Sequence, residues 1–297
     1  MATPAEQTLL LGPRRSLVAV ITPGSASAGS DRPVIVFLNS GIVHRVGMNR
    51  LTVSLARVLA ERGSTVVRFD LSGIGDSDAR PDALSPFDAA IADIREALDA
   101  LAATTEGPLR VILAGLCSGA DQSAYYAGLD PRVVGVILLE PSFPAPRRHY
   151  LHHYGGRLLR RESWRNVLTG KHPVWRKMQA RVRALVDVAA EPAPSREDDP
   201  VGRERKVGDP EVRAFLARTY RTLADRGVPV LTILSGEMWH YREVFTDAFP
   251  EARFGAQLSL SYLADADHVF TALADQAELT RLILEWTERA RFVASSR

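Results

Sequence analysis

The residue most suited to chemistry in this sequence is Cys117, the only cysteine of the chain. It lies between Gly115 and Gly119, directly after an apolar run. This Gly-x-Cys-x-Gly spacing is typical of a sharp strand-to-helix turn that holds a nucleophile in a strained backbone conformation. The two glycines let strand and helix approach without Cβ clashes. Because the N-terminus of the following helix favours a thiolate, we predict that Cys117 is a nucleophile rather than a small buried hydrophobe.

A nucleophilic thiol needs a base, and the base needs a carboxylate to orient it. His268 follows the last apolar run before a closing helix, in a short, small and polar loop, and is predicted to be the base. Glu140 comes directly after a fully apolar run and should face the crevice at the carboxyl ends of the strands. Glu237 is the alternative acid, and the sequence favours Glu140 over it.

Acyl transfer also requires donors for a developing oxyanion. One predicted donor is the backbone N–H of Ser118, and the other comes from the loop that contains Gly41 and Ile42. His44 and Arg45 follow in the same loop and are candidate substrate-binding residues. For Arg45 two interpretations stay open: an ion pair with Asp70 or Asp76, or contact with an acidic group of the substrate.

The pattern along the chain predicts an α/β fold with a mostly parallel sheet and helices on both faces. Strand-like runs at 34–38, 65–69, 109–114 and 133–139 alternate with helical segments, after an antiparallel hairpin over 8–22. Further strands are predicted at 228–234 and 258–263, with helices over 241–248 and about 271–291. The predicted core covers 1–141 and 227–297.

Residues 142–226 interrupt this alternation and are predicted to form an inserted helical lid, with a helix over 173–188 and a mobile polar link near 191–209. Between 147 and 183 the insertion has eleven basic residues and one acid, interleaved with aromatic residues that include Tyr150 and Trp164. Such a surface favours an acidic partner, although a solvated helical face is an equal alternative. Tyr150 and Trp164 are candidate substrate contacts.

Composition restricts the possible classes of function. The net charge is +2, and a single cysteine forms no internal disulfide. The sequence shows neither the pattern of a signal peptide nor a membrane span, so a cytoplasmic protein is expected. We expect no metal, because His149, His152 and His153 lack companion ligands. We also expect no cofactor, because Gly73-x-Gly75 lacks the third glycine of a dinucleotide site. A basic lid binding nucleic acid is disfavoured beside a complete nucleophile turn.

Four segments together resemble a branch of bacterial α/β-hydrolases that includes exosortase-A-associated hydrolases and relatives encoded among biosynthetic genes. They are residues 41–50, residues 68–77, the Gly-Leu-Cys-Ser-Gly-Ala-Asp run at 115–121, and Ala-Asp-His at 266–268. The resemblance implies an α/β-hydrolase fold with Cys117 as nucleophile and His268 as base. In relatives the strand before the lid tends to end in Asp-Pro, where this chain has Glu140-Pro141.

These observations predict an enzyme that acts on an acyl thioester or ester through an acyl-Cys117 intermediate. An acyl carrier protein or coenzyme A docking on the basic lid would supply the thioester. One alternative is an acyltransferase or cyclase of a biosynthetic pathway, which passes the acyl group to a nucleophile other than water. A second, from another class, is a catalytically idle module that binds a carrier protein or ligand.

Overall fold

The structure, a computed structural model, describes residues 5–25, 32–142, 210–236, 254–290 and 292. Its centre is an eight-stranded sheet in the order β1-β2-β4-β3-β5-β6-β7-β8. β1 and β2 pair antiparallel, β2 is antiparallel to β4, and all the other neighbours are parallel. The strands are β1 Gln7–Leu11, β2 Leu17–Thr22, β3 Val34–Phe37, β4 Val66–Phe69, β5 Val111–Leu116, β6 Val133–Leu139, β7 Val230–Ser235 and β8 Leu258–Leu263.

The central strands are buried along their whole length, as continuous apolar runs predict. Helices cover both faces of the sheet. They are α1 Leu51–Glu61, α2 Pro86–Thr104, α3 Ser118–Ala127, α4 Pro210–Asp225 and α5 Leu273–Arg289. α1 and α5 pack with Ile35 and Ile137 on one face, while α2, α3 and α4 pack with Val36 and Val136 on the other. The predicted α/β architecture is confirmed.

One helix lies within the stretch predicted as insertion. α4 buries Leu216, Tyr220 and Leu223, which lie at the spacing of one helical face, and it packs on α3 within the same apolar cluster. Residues 210–225 therefore belong with the sheet in the structure, rather than with a separate lid. The remainder of the predicted lid from residue 143 onward, including the helix over 173–188 and the link near 191–209, lies outside the described residues, as does the helix predicted over 241–248.

Parallel strands bring several loops to one edge of the sheet, because their carboxyl ends coincide there. Residues 117 and 140 come directly after β5 and β6, and β7 ends at Ser235 on the other side of β6. The loop after β8 contains residue 268. In the part of the chain that the structure describes, no helix has the length and apolar character needed to cross a membrane.

Candidate functional site

Cys117 lies on the sharp turn that the glycine spacing predicts. Its backbone has φ 55° and ψ −118°, in the left-handed region, and its N–H donates to the carbonyl oxygen of Leu139 at 2.9 Å. A Cβ at Gly119 would lie 2.5 Å from the carbonyl oxygen of Asn39, and one at Gly115 would collide with the backbone of Gly119. Glycine is therefore required at both positions for β5 and α3 to meet at this angle.

Glu140 reaches His268 from the neighbouring strand. Its carboxylate is fully buried, and Oε2 lies 3.1 Å from Nδ1 of His268. Oε1 accepts the backbone N–H of Ser235, the last residue of β7. The two bonds fix the carboxylate and leave the other ring nitrogen of His268, Nε2, for a second partner. Like Cys117, Glu140 has a left-handed backbone conformation, with φ 51°, which turns its side chain towards the loop after β8.

His268 interacts with both Glu140, through the bond at Nδ1, and Cys117, through hydrogen bonding that shifts its pKa. These bonds, with the Cys117 bond as the largest cause, raise the pKa of His268 to about 10, although partial burial opposes the shift. The loop that carries His268 is held by Asp267, whose Oδ1 accepts the N–H groups of Val269 and Thr271 at 3.0 Å each. A protonated imidazole beside a sulfur atom favours the thiolate, so the three side chains form an arrangement suited to nucleophilic chemistry.

The loop after β3 lies beside the N-terminus of α3. Gly41 has φ 53°, and its N–H donates to Oγ of Ser118 at 2.7 Å, across the turn that carries Cys117. Ile42, the next residue of this loop, is 92% exposed. His44 is also exposed, and its Nδ1 accepts the N–H of Val46 at 3.4 Å. The structure thus brings the predicted oxyanion residues to one place, and Gly41 already has an acceptor for its N–H.

Arg45 is held by two carboxylates that follow β4. Its guanidinium pairs with Asp70 and, at 2.7 Å, with Asp76. The fully buried Asp70 also accepts the N–H of Arg45 at 2.6 Å and Nδ2 of Asn39 at 3.2 Å. Of the two interpretations that the sequence leaves open for Arg45, the structure has the ion pair, which ties the loop after β3 to the end of β4.

Asp70→Ala is expected to destabilise the protein by about 3 kcal/mol, because it removes the acceptor for several buried donors and half of the Arg45 pair. Urea unfolding followed by circular dichroism measures this change. Asp76→Asn is the matched control, since the Asp76 side chain is 68% exposed and its pair with Arg45 should contribute about 0–1 kcal/mol. Equal effects of the two substitutions would contradict a dominant role for Asp70.

Asp121 lies one helical turn after Cys117, at the end of the run 115–121. The sequence predicts no role for it. Its Oδ1 accepts the N–H of Ser142 at 2.8 Å, and burial raises the pKa of its carboxyl to about 6 despite that bond. Ser142 lies three residues after the end of β6, so Asp121 connects the chain that leaves β6 to the helix that carries the nucleophile. A carboxylate in the first turn of that helix was the only signal that could have indicated such a contact.

Three predicted site residues, Glu237, Tyr150 and Trp164, lie outside the described residues, as does the whole basic stretch between 147 and 183. The three histidines considered as metal ligands, at 149, 152 and 153, lie there too. Among the residues that are described, no group of three potential ligands gathers around a cation-sized space.

Comparison with known proteins agrees with this architecture. The model described as the alpha/beta hydrolase family matches residues 35–282. No curated protein matches the chain by sequence. The thioesterase domain from the curacin biosynthetic pathway is 15% identical, with a TM-score of 0.57 over 95% of this chain and 99% of that one. An esterase from Pyrococcus furiosus is 14% identical, with a TM-score of 0.55 over 96% and 90%.

A haloalkane dehalogenase from Agrobacterium tumefaciens is similar as well, at 19% identity and a TM-score of 0.55 over 96% of this chain and 97% of that one. At these identities the structural likeness establishes the fold, and the three reactions named are those of the other proteins. The family match covers most of the sequence, including both Cys117 and His268. This chain therefore belongs to the alpha/beta hydrolase family of enzymes.

Proposed function

We propose that this hydrolase is cysteine-dependent and cleaves acyl thioesters or esters through an acyl-Cys117 intermediate. The observation that carries the proposal is the position of His268, whose Nδ1 is bound to buried Glu140 at 3.1 Å and whose pKa is raised most by Cys117. Nucleophilic catalysis by a triad requires a nucleophile, a base within its reach and a carboxylate that orients the base. Cys117 on the turn after β5, His268 and Glu140 are proposed for these three roles. The resemblance to the cysteine-containing branch of α/β-hydrolases is part of this proposal.

In the first half-reaction, the ionised sulfur of Cys117 attacks the acyl carbon and forms a C–S bond. The carbonyl oxygen becomes an oxyanion, which collapses as the bond to the leaving thiolate breaks. His268 gives its proton to that leaving group. Glu140 keeps the imidazole oriented throughout and stabilises its charged form.

In the second half-reaction, His268 acts as the base. Acylation consumes the charged sulfur, and with it the hydrogen bond that contributes most to the raised pKa of His268. The imidazole of the acyl-enzyme therefore holds its proton less tightly and can accept one from water. Attack by that water forms the free acid, breaks the C–S bond and restores Cys117 beside protonated His268.

A thioester substrate suits this nucleophile because acyl-Cys117 is itself a thioester, so exchange between the two is nearly thermoneutral. An oxygen ester is a less favourable donor, and an amide less favourable still. The acyl carbon of this thioester remains open to attack by water, with the sulfur of Cys117 as the leaving group. The proposed donor of the acyl group is an acyl carrier protein or coenzyme A, which would bind to the basic lid.

The test is intact-protein mass spectrometry after brief incubation with acetyl-, hexanoyl- or dodecanoyl-coenzyme A. We expect a mass increase equal to the acyl group, reversed by neutral hydroxylamine, which cleaves thioesters. Because the chain has one cysteine, such an adduct assigns itself to Cys117. Release of coenzyme A is followed in parallel, and added amines or alcohols reveal acyl transfer. Folded protein that forms no adduct and releases no thiol with any of these donors would refute the proposal.

A further inference from the structure

The hydrogen bond between Gly41 and Ser118 affects how an oxyanion would be bound. Gly41 was the expected second donor, yet its N–H points to Oγ of Ser118 at 2.7 Å. An N–H group carries one hydrogen, so this donor is engaged as long as the bond persists. The loop makes this contact from a left-handed glycine, which fixes the direction of the N–H.

Because the Ser118 oxygen accepts this bond, its own O–H is not used in it and can donate elsewhere. A serine oxygen that accepts one hydrogen bond still carries its own O–H, which rotates to suit a further acceptor. Accepting from Gly41 also polarises the hydroxyl, since hydrogen bonds in a chain strengthen one another. Ser118 is the residue directly after Cys117 and begins α3, where backbone N–H groups have no partner within the helix. Ser118 therefore has two donors, its N–H and its O–H, on the residue next to the nucleophile.

We propose that Ser118 is a catalytic residue whose hydroxyl, oriented by the N–H of Gly41, donates a hydrogen bond to the substrate oxygen as it becomes an oxyanion. The backbone N–H of the same residue provides the companion donor, and Gly41 acts through the hydroxyl as a positioning residue. No proton is transferred in this role, because the serine keeps its hydrogen throughout. The inference rests on the proposed function, since it requires an acyl group on Cys117.

The competing arrangement leaves Ser118 with its backbone N–H alone. In that case Gly41 would release Oγ when substrate arrives and donate directly to the oxyanion. The Ser118 hydroxyl would then compete with the substrate for the N–H of Gly41. The two arrangements predict opposite effects of removing the hydroxyl, which makes them easy to separate.

The decisive variant is Ser118→Ala, with Ser118→Thr as the matched control that keeps a hydroxyl. We expect Ser118→Ala to slow acylation by hexanoyl-coenzyme A by about 10²–10³-fold, the usual effect of losing one oxyanion donor. Ser118→Thr should restore most of the rate. An unchanged or faster acylation in Ser118→Ala would overturn the proposal and assign the direct role to Gly41.

Alkylation of Cys117 by iodoacetamide supplies the internal control. That displacement develops no oxyanion, so its rate should stay within about twofold of wild type in both Ser118 variants. A parallel loss of alkylation and acylation would indicate a damaged nucleophile and contradict a specific role of the hydroxyl. If wild type itself is alkylated but never acylated, the proposed function fails, and that outcome is distinct from equal acylation of wild type and Ser118→Ala.

Hexanal gives a second readout of the same interaction. Its carbonyl adds the Cys117 sulfur to form a hemithioacetal, whose oxygen occupies the position of the oxyanion. Ser118→Ala should weaken hexanal inhibition, and Ser118→Thr should retain it. Equal inhibition of wild type and Ser118→Ala would contradict the hydroxyl as donor even if the acylation rates differ.

Discussion

Cys117→Ala is expected to form no acyl adduct and to lower turnover of acyl thioesters by about 10⁴-fold or more, the scale seen when a triad nucleophile is removed. The sulfur forms the covalent bond on which the proposed mechanism depends. The measurement is thiol release from hexanoyl-coenzyme A, together with the intact mass. Turnover within tenfold of wild type would exclude Cys117 as the nucleophile.

The same substitution should change the titration of His268. The hydrogen bond that protonated His268 donates to Cys117 is the largest cause of its raised pKa, so its loss should lower that pKa while the bond to Glu140 keeps it above that of an exposed histidine. Nuclear magnetic resonance of the imidazole protons measures the change, with His268→Gln assigning the signal among seven histidines. An unaltered titration would contradict a direct contact between sulfur and imidazole.

Controls at the same position separate chemistry from folding. Cys117→Ser retains a hydroxyl at the turn and should keep residual esterase activity, because the base and its carboxylate remain. Cys117→Gly removes the Cβ that makes a φ of 55° unfavourable, so the inactive variant should be more stable than wild type by about 1 kcal/mol. A glycine variant of lower stability would indicate that the side chain packs for structural reasons.

The sequence predicts the parallel sheet and the position of Cys117 because both depend on local patterns. Continuous apolar runs form buried strands, and the glycines at 115 and 119 permit only a tight turn between β5 and α3. The site at the strand ends follows from topology, since parallel strands leave their carboxyl ends at one edge. The position of Glu140 directly after a buried strand predicts that its carboxylate lies at this edge. There it contacts His268, which is 128 residues away in the sequence.

Contacts between loops were beyond such reasoning. Ser118 Oγ meets Gly41 across 77 residues, and Arg45 pairs with Asp70 because two loops approach at the end of β4. Each bond depends on rotamers and on backbone angles that no spacing rule specifies. The helix α4 differs from these contacts, because the spacing of Leu216, Tyr220 and Leu223 is a helical pattern in the sequence, although residues 210–225 were assigned to the inserted lid.

His268→Ala should make Cys117 behave like an ordinary thiol. In wild type, a pKa of about 10 keeps His268 protonated through the neutral range, and an adjacent imidazolium favours the thiolate. Alkylation of Cys117 by iodoacetamide should therefore be faster at neutral pH than alkylation of an ordinary thiol. In His268→Ala the rate should fall by about tenfold or more at neutral pH and rise with pH, as for a free cysteine.

Glu140→Gln is the matched control for His268→Ala, because it removes the charge of the carboxylate and keeps only one of the two oxygens that accept from Ser235 and His268. It should lower the pKa of His268, so alkylation of Cys117 at neutral pH should be slower than in wild type but faster than in His268→Ala. The pKa of His268 is raised by folding, so the stabilisation from its partners is complete below the unfolded pKa, about 6.5, and is lost as the pH rises through about 10.

His268→Ala should accordingly destabilise the protein more in mildly acidic than in strongly alkaline solution, as thermal melts across this range would measure. Both measurements, the alkylation rate and the thermal stability, depend on the proton that His268 holds. Alkylation at neutral pH that is as slow in wild type as in His268→Ala would mean that His268 does not hold its proton beside Cys117. The proposed mechanism would then need a base other than His268, even if Cys117 still accepts the acyl group.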